Sequence, residues 1–145
     1  MDKALNYMAL ARKAGRIELG EEPVGAAARA QHARLVVVAQ DASSHTWRRA
    51  QSFVGGTEQQ CLRLPFTKDQ LGQAIGRQEL AIAAFTDPAM ALAFVKALGQ
   101  PEQYAEILEN LDRRTRRIQQ RRREEKAHED NRRRGGRKGV AKKEH

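Results

Sequence analysis

The amino-acid sequence predicts a three-layer α/β/α sandwich with a four-stranded sheet that is mixed and largely parallel. Two uninterrupted apolar runs, Leu35-Val36-Val37-Val38-Ala39 and Ala81-Ile82-Ala83-Ala84-Phe85, are typical of strands covered on both faces. Segments with helical spacing alternate with the predicted strands, which places helices on both faces of one sheet. With 145 residues, the chain is long enough for one such domain and an extension.

The first part of the chain predicts two helices around a short strand. Asp2 can cap a first helix, and Gly15 ends it. Ile17 and Leu19 alternate with polar residues and indicate a half-buried strand. Residues 21–30 are rich in alanine, with acidic residues at the front and an arginine at the back, the charge order that a helix dipole favours. The first buried run then forms the central strand.

The middle of the chain predicts a helix and a short strand. Ser43 or Ser44 can cap a third helix, which ends before Gly55-Gly56. A brief strand then holds Leu62 and Leu64.

Two further helices flank the second buried run. Thr67-Lys68-Asp69-Gln70 is a capping-box pattern that predicts a fourth helix, closed by Gly76. Asp87-Pro88 predicts the start of a fifth helix that reaches about Leu98, because proline is well tolerated at the first helical position.

The net charge of +9 belongs to the C-terminal part of the chain. Residues 1–111 contain 12 basic and 12 acidic residues, whereas residues 112–145, here called the basic arm, contain 15 basic and 6 acidic ones. All seven aromatic residues lie in the neutral part, which alone can bury a core. We therefore expect a domain over residues 1–99 and an extension over residues 100–145, helical at first and disordered after Asp130.

Composition also excludes several classes of protein. No apolar run approaches the roughly 20 residues that span a bilayer, and the first ten residues lack the layout of a signal peptide, so we expect a cytoplasmic protein without a membrane partner. Cys61 is the single cysteine, which excludes a disulfide framework and argues against a zinc finger. No phosphate-binding glycine motif follows a strand. We therefore expect no metal and no cofactor.

A polar cluster follows the central strand. Asp41, Ser43, Ser44 and His45 could serve as orienter, nucleophile and base, since α/β folds often carry sites at strand ends. The simpler interpretation is that the serines cap the next helix and Asp41 favours its positive end. We therefore expect no catalytic residue and no enzyme, with an RNA-modification accessory module as an alternative. A protein-protein interaction module, docking through Tyr104 and the helix that follows it, is another.

The basic arm predicts a polyanionic partner. Guanidinium groups bind phosphate oxygens in a fork, and they also stack on unpaired bases, which favours structured RNA over duplex DNA. Six acidic residues cannot neutralise fifteen basic ones. The candidate phosphate-binding residues of the arm are Arg113, Arg114, Arg116, Arg117, Arg121, Arg122 and Arg123.

Several separated motifs resemble one known family. They are Leu10-Ala11-Arg12-Lys13-Ala14-Gly15-Arg16, Gly20-Glu21-Glu22, Ala33-Arg34-Leu35-Val36-Val37-Val38-Ala39-Gln40-Asp41-Ala42-Ser43, Leu71-Gly72-Gln73-Ala74-Ile75-Gly76 and Thr86-Asp87. In order and spacing, over about residues 4–98, they resemble the kink-turn RNA-binding ribosomal protein family, in particular its bacterial ribosome-associated branch. The resemblance implies the α/β/α fold, RNA binding without catalysis, and ribosomal or other structured RNA in a ribonucleoprotein as partner.

The resemblance also implies an RNA-binding surface built from residues 20–23, 40–43 and 77–81. This surface, with neighbouring positions on the second helix, gives the candidate RNA-binding residues. They are Gly20, Glu21, Glu22, Pro23, Ala26, Arg29, Gln40, Asp41, Arg77, Leu80 and Ala81. Binders of the family carry Asn-Glu after the glycine and a lysine one turn later. Here Glu22 and Pro23 occupy the first two positions and Ala26 the third.

Overall fold

The computed structural model describes the backbone of residues 2–144 and the side chains of residues 2–133. The helices and strands alternate in the predicted order. They are α1 (Lys3–Lys13), β1 (Ile17–Leu19), α2 (Glu21–Arg29), β2 (Leu35–Val38), α3 (Ser44–Val54), β3 (Cys61–Arg63), α4 (Lys68–Ala74), β4 (Ile82–Phe85), α5 (Pro88–Ala97) and α6 (Ala105–Glu144). In the described part of the chain, no helix combines the length and the apolar character that crossing a membrane requires.

Local hydrogen bonds fix the helix starts. A carboxylate oxygen of Asp2 accepts from the backbone N–H of Ala4 at 2.8 Å. Thr67 and Gln70 form both halves of the predicted capping box. Asp87 stands before α5 as predicted, but its side chain makes no capping hydrogen bond.

The sheet is mixed, with the strand order β1-β4-β2-β3. β2 and β3 are parallel, and β4 is antiparallel to both of its neighbours, β1 and β2. β1, β2 and β3 therefore run in the same direction, and β4 alone is reversed. The prediction of a mixed four-stranded sheet is confirmed, but the expectation of largely parallel pairing is wrong, because the reversed strand lies between two others.

The connection before β4 explains this reversal. After α4 the chain doubles back, and the N–H of Leu80 donates to the carbonyl of Lys68, at the start of that helix, at 3.0 Å. β4 consequently begins at the end of the sheet where β2 ends. The N–H of Ala39 donates there to the carbonyl of Ala81 at 2.9 Å. A strand that begins where its neighbour ends must run antiparallel to it.

Helices cover both faces of the sheet, which confirms the three-layer sandwich. Leu35 and Val37 of β2 pack in one apolar cluster with α1, α4 and α5, whereas Val36 and Val38 pack in a second cluster with α2 and α3. All four side chains are fully buried, as the uninterrupted apolar run predicts.

The chain divides into two compact units, Met1–Asp112 and Arg113–His145. The sequence places the division at Gly99 instead. The difference arises because Tyr104 and Leu111, which follow the Gly-Gln-Pro break, are buried in the same cluster as α1 and α5. The expected disorder after Asp130 falls largely on residues 134–145, whose side chains lie outside the described range, and it stays a prediction.

Candidate nucleic-acid interface

Three loops meet at one end of the strands, where β1 and β2 end and β4 begins. The N–H of Gly20, between β1 and α2, donates to the carbonyl of Ile82 at 3.0 Å. The N–H of Ala39, at the end of β2, donates to the carbonyl of Ala81, the residue before Ile82, at 2.9 Å. The segments that the sequence singles out, residues 20–23, 40–43 and 77–81, therefore lie side by side. We call them the three-loop edge.

The start of α2 offers unpaired backbone donors at this edge. Gly20 precedes the helix with φ at +97°, a conformation that favours glycine, and it supplies no side-chain cap. The first N–H groups of a helix have no partner within it, and Pro23 has no N–H. The donors of Glu21 and Glu22 are therefore the ones that α2 presents. Glu22, Pro23 and Ala26 are exposed, as is Arg29 at the far end of the helix.

An ion pair brings a cation to the same place. Arg49 on α3 donates through Nε to a carboxylate oxygen of Glu21 at 2.6 Å, and its guanidinium lies 5.1 Å from the ring centre of Phe53. Exposed pairs of this kind add only about 0.2–1 kcal/mol to stability. The pair also places a cation at the start of α2, where Arg49 offsets the charge of one of the two acidic residues. No local sequence pattern singles out Arg49, because it is 28 positions from its partner in the chain.

The turn after β2 is held by its own polar side chains. A carboxylate oxygen of Asp41 accepts from the backbone N–H of Lys68 at 2.8 Å, which fixes the start of α4 against this turn. Ser43 accepts from the N–H of Thr46 and caps α3. Gln40 and Asp41 are exposed.

These bonds bear on the catalytic alternative. Asp41 and Ser43 are engaged with backbone donors, and within the described residues the His45 side chain hydrogen-bonds to neither of them. The cluster therefore lacks the linked base and nucleophile that a catalytic arrangement needs. Its geometry is that of two helix starts.

The loop before β4 rests on α4 at a glycine. A Cβ atom added to Gly72 would lie 2.6 Å from the Cα of Glu79, so the loop backbone occupies the space of a side chain. Arg77 is exposed, and Ala81 is half-buried. Leu80 is 3% exposed and lies in the core cluster, where it anchors the loop from beneath.

The predicted phosphate-binding arginines of the arm lie on α6. Arg114 is buried, with 7% of its surface exposed. The other six are exposed: Arg113, Arg116, Arg117, Arg121, Arg122 and Arg123.

In the described part of the chain, neither Cys61 nor the histidines form a reactive or metal-binding site. Burial raises the pKa of the Cys61 thiol by desolvation, so the thiol stays protonated at neutral pH. Among the described residues, no group of three potential ligands from His, Cys, Asp and Glu could hold a metal ion.

Comparison with known proteins assigns the chain to a family. No family model matches it. Over 75 residues it is 36% identical to the RNA-binding protein YlxQ of Enterococcus faecium, and the match covers 52% of this chain and 72% of that protein. The chain belongs to the YlxQ family.

Solved structures support the fold of this YlxQ-family chain. A Bacillus halodurans protein of unknown function matches with a TM-score of 0.64 and 24% identity, over 69% of this chain and all of the other. The 15.5 kD RNA-binding protein of Giardia lamblia matches with a TM-score of 0.55 and 18% identity, over 68% of this chain and 84% of the other. At these identities the two structures establish the fold alone.

Proposed function

We propose that this chain is a non-catalytic RNA-binding protein of the cytoplasm, associated with the ribosome or another ribonucleoprotein. The three-loop edge recognises structured RNA of the kink-turn kind, and the arginines of the arm bind phosphates without regard to sequence. Membership of the YlxQ family supports RNA as the partner.

The observation that carries the proposal is the convergence of the three loops around the start of α2. Unpaired N–H groups at a helix start bind phosphate oxygens, and Glu22 can accept hydrogen bonds from the exposed edge of an unpaired base. A sharply bent RNA offers both kinds of group close together, which a straight duplex does not.

Cations from three separate elements support the same surface. Arg49 comes from α3, Arg77 lies in the loop before β4, and Lys68 begins α4 beside Asp41. They surround an edge at which Glu22 replaces the amide of related binders and Ala26 replaces their lysine. Charge that the α2 sequence lacks is therefore provided by residues that are distant in the chain.

Burial weakens the alternative of a protein interaction module. That alternative needs the apolar face of α6 and the residue before it to be available to a partner. Tyr104 and Leu111 are instead buried in the core of their own domain, and Ile107 and Leu108 pack against it.

A binding comparison tests the proposal. Fluorescence anisotropy would measure the affinity of the full chain for a kink-turn RNA and for a straight duplex of equal length. We expect tighter binding to the kink-turn RNA, and Arg49→Gln should weaken it about tenfold, the scale of one charge-assisted hydrogen bond. Arg48→Gln is the matched control, because Arg48 is the exposed neighbour on the same helix, and its Nε donates to the carbonyl of Ser44. Equal affinity for the two RNAs would contradict the proposal.

A further inference from the structure

An open groove of about 510 Å³ lies between the edge strand β1 and helix α2. Pro23 and Ala26 line it near the start of α2, and the alanines that follow form the rest of that wall. Arg16, His32 and Arg34 line its other end. The groove therefore begins at the three-loop edge, which shares Pro23, and ends among basic side chains.

Backbone hydrogen bonds fix the two arginines on either side of the end of β4. The carbonyl of Arg16 accepts from the N–H of Thr86 at 2.9 Å, and the N–H of Arg34 donates to the carbonyl of Phe85 at 2.8 Å. Because β4 lies between β1 and β2, the two backbones are separated by two strand spacings, or about 10 Å. Arginine side chains can converge on one group across that span.

Neither arginine is paired with a charge among residues 2–133. Within the part of the chain that the structure describes, the side chains of Arg16 and Arg34 make no hydrogen bond and no ion pair, although Glu18 lines the same groove. Nε of Arg34 is shielded from solvent and still lacks an acceptor. Buried donors in folded proteins are almost always satisfied, so this donor is available to an acceptor that reaches it.

The wall that α2 contributes suits a nucleic-acid strand. Its residues are alanines and Pro23, which leave room for a backbone to approach closely. Ala26 occupies the position at which related binders carry a lysine. The cations that line this groove, Arg16 and Arg34, lie outside α2, at the end of the groove that also holds Ala30 and His32.

We infer that an RNA strand leaving the three-loop edge at Pro23 follows this groove and places a phosphate between Arg16 and Arg34. The inference rests on the proposed function and adds a second contact at the opposite end of the sheet. Rotation of the Arg34 side chain toward the groove gives its unsatisfied donor an acceptor. Glu18 repels a phosphate placed beside it, so the phosphate contact is restricted to the end of the groove that Arg16 and Arg34 line.

Phosphate-ethylation interference and salt titration on a kink-turn RNA, with the full chain, test the inference. We expect the doubly substituted Arg16→Gln, Arg34→Gln chain to lose interference at one cluster of phosphates. The slope of log K against log salt should fall by about 0.7–0.9 for each phosphate contact removed. Lys3→Gln with Lys96→Gln is the matched control, because it removes the same charge from exposed positions on α1 and α5. Arg16→Gln alone changes an exposed side chain and keeps the test valid if Arg34→Gln unfolds the chain.

The outcomes separate the inference from the proposed function. If the groove variants bind with the slope and interference pattern of the control, the groove contact is overturned and the three-loop edge stands. If the unsubstituted chain does not prefer the kink-turn RNA, the proposed function falls and the inference falls with it.

Discussion

At the scale of single residues, the end of α2 shows how a local strain positions a side chain. Gln31 has φ at +62°, in the left-handed region, and it is the only non-glycine residue there in the described chain. Its N–H donates to the carbonyl of Ala28 at 3.0 Å, and that of His32 donates to the carbonyl of Ala27 at 2.8 Å. This pair of bonds is the Schellman motif, in which glycine is the usual residue at the position of Gln31. The motif turns the chain so that His32 lines the groove.

Replacing Gln31 by glycine should stabilise the protein. Gln31→Gly removes the steric cost of the left-handed conformation, and we expect the free energy of unfolding to rise by about 1 kcal/mol in urea denaturation. Gln51→Gly, in the exposed interior of α3, is the control and should lower it by about 1 kcal/mol. A loss of stability in Gln31→Gly would show that glutamine is not strained there.

Residue-scale features are predictable from the sequence only where the partners are close along the chain. The caps at Asp2 and Thr67 follow from three or four consecutive residues, and the structure confirms both. The bonds from Arg49 to Glu21 and from Lys68 to Asp41 join residues 28 and 27 positions apart. No local pattern distinguishes these cations from ordinary exposed ones, because the fold alone brings them to the edge.

At the scale of elements, the loop before β4 depends on its fit against α4. The backbone of Gln78 and Glu79 passes within 2.8 Å of the place where a Cβ on Gly72 would lie. Backbone cannot move aside as the end of a flexible side chain can. Gly72 therefore sets the height of residues 77–81 above the helix and, through Ala81, the point at which β4 begins.

A single methyl group should disturb this contact. Gly72→Ala forces the loop away from α4, and we expect the free energy of unfolding to fall by about 1–3 kcal/mol, as in overpacked cores. Affinity for a kink-turn RNA should fall as well. Gln73→Ala changes the exposed neighbour on the same helix and should be close to neutral in both measurements. An unchanged melting temperature in Gly72→Ala would mean that the loop does not rest on α4.

The order of elements follows from sequence pattern, but the direction of one strand does not. Periodicity and caps place helices α1 to α5 and the four strands within a few residues of their observed bounds. Alternation of strands and helices favours parallel pairing, and it fails for β4 because the chain returns to the start of α4, where Leu80 bonds to Lys68. That return is a property of the folded loop rather than of any residue pattern within it.

At the scale of the whole molecule, charge is divided between two parts of the chain. The compact unit Met1–Asp112 holds the neutral domain, and the unit Arg113–His145 holds all fifteen basic residues of the arm. A surface that selects an RNA shape needs no large net charge. A region that binds phosphates without regard to sequence needs a large positive charge, because the counterions that it displaces from RNA supply its affinity.

The arm should therefore control how strongly RNA binding depends on salt. With Arg121, Arg122 and Arg123 all changed to glutamine, we expect the slope of log K against log salt to fall by up to about 2, at roughly 0.7 for each single-strand phosphate contact. The preference for kink-turn RNA over duplex should persist. Lys3, Lys13 and Lys96 changed to glutamine make the matched control. A lost preference with an unchanged slope would reverse the roles assigned to arm and edge.

If the three-loop edge binds RNA, an NMR titration should show the contact at single residues. The ¹⁵N-labelled full chain would be titrated with a kink-turn RNA, and backbone amide shifts would be mapped onto the fold. We predict that the largest shifts in the domain fall on residues 20–22, 40–43 and 77–81, and that a straight duplex leaves these amides nearly unchanged. Large shifts on the outer faces of α1 and α5, with the amides of the three-loop edge unmoved, would contradict RNA binding by this edge.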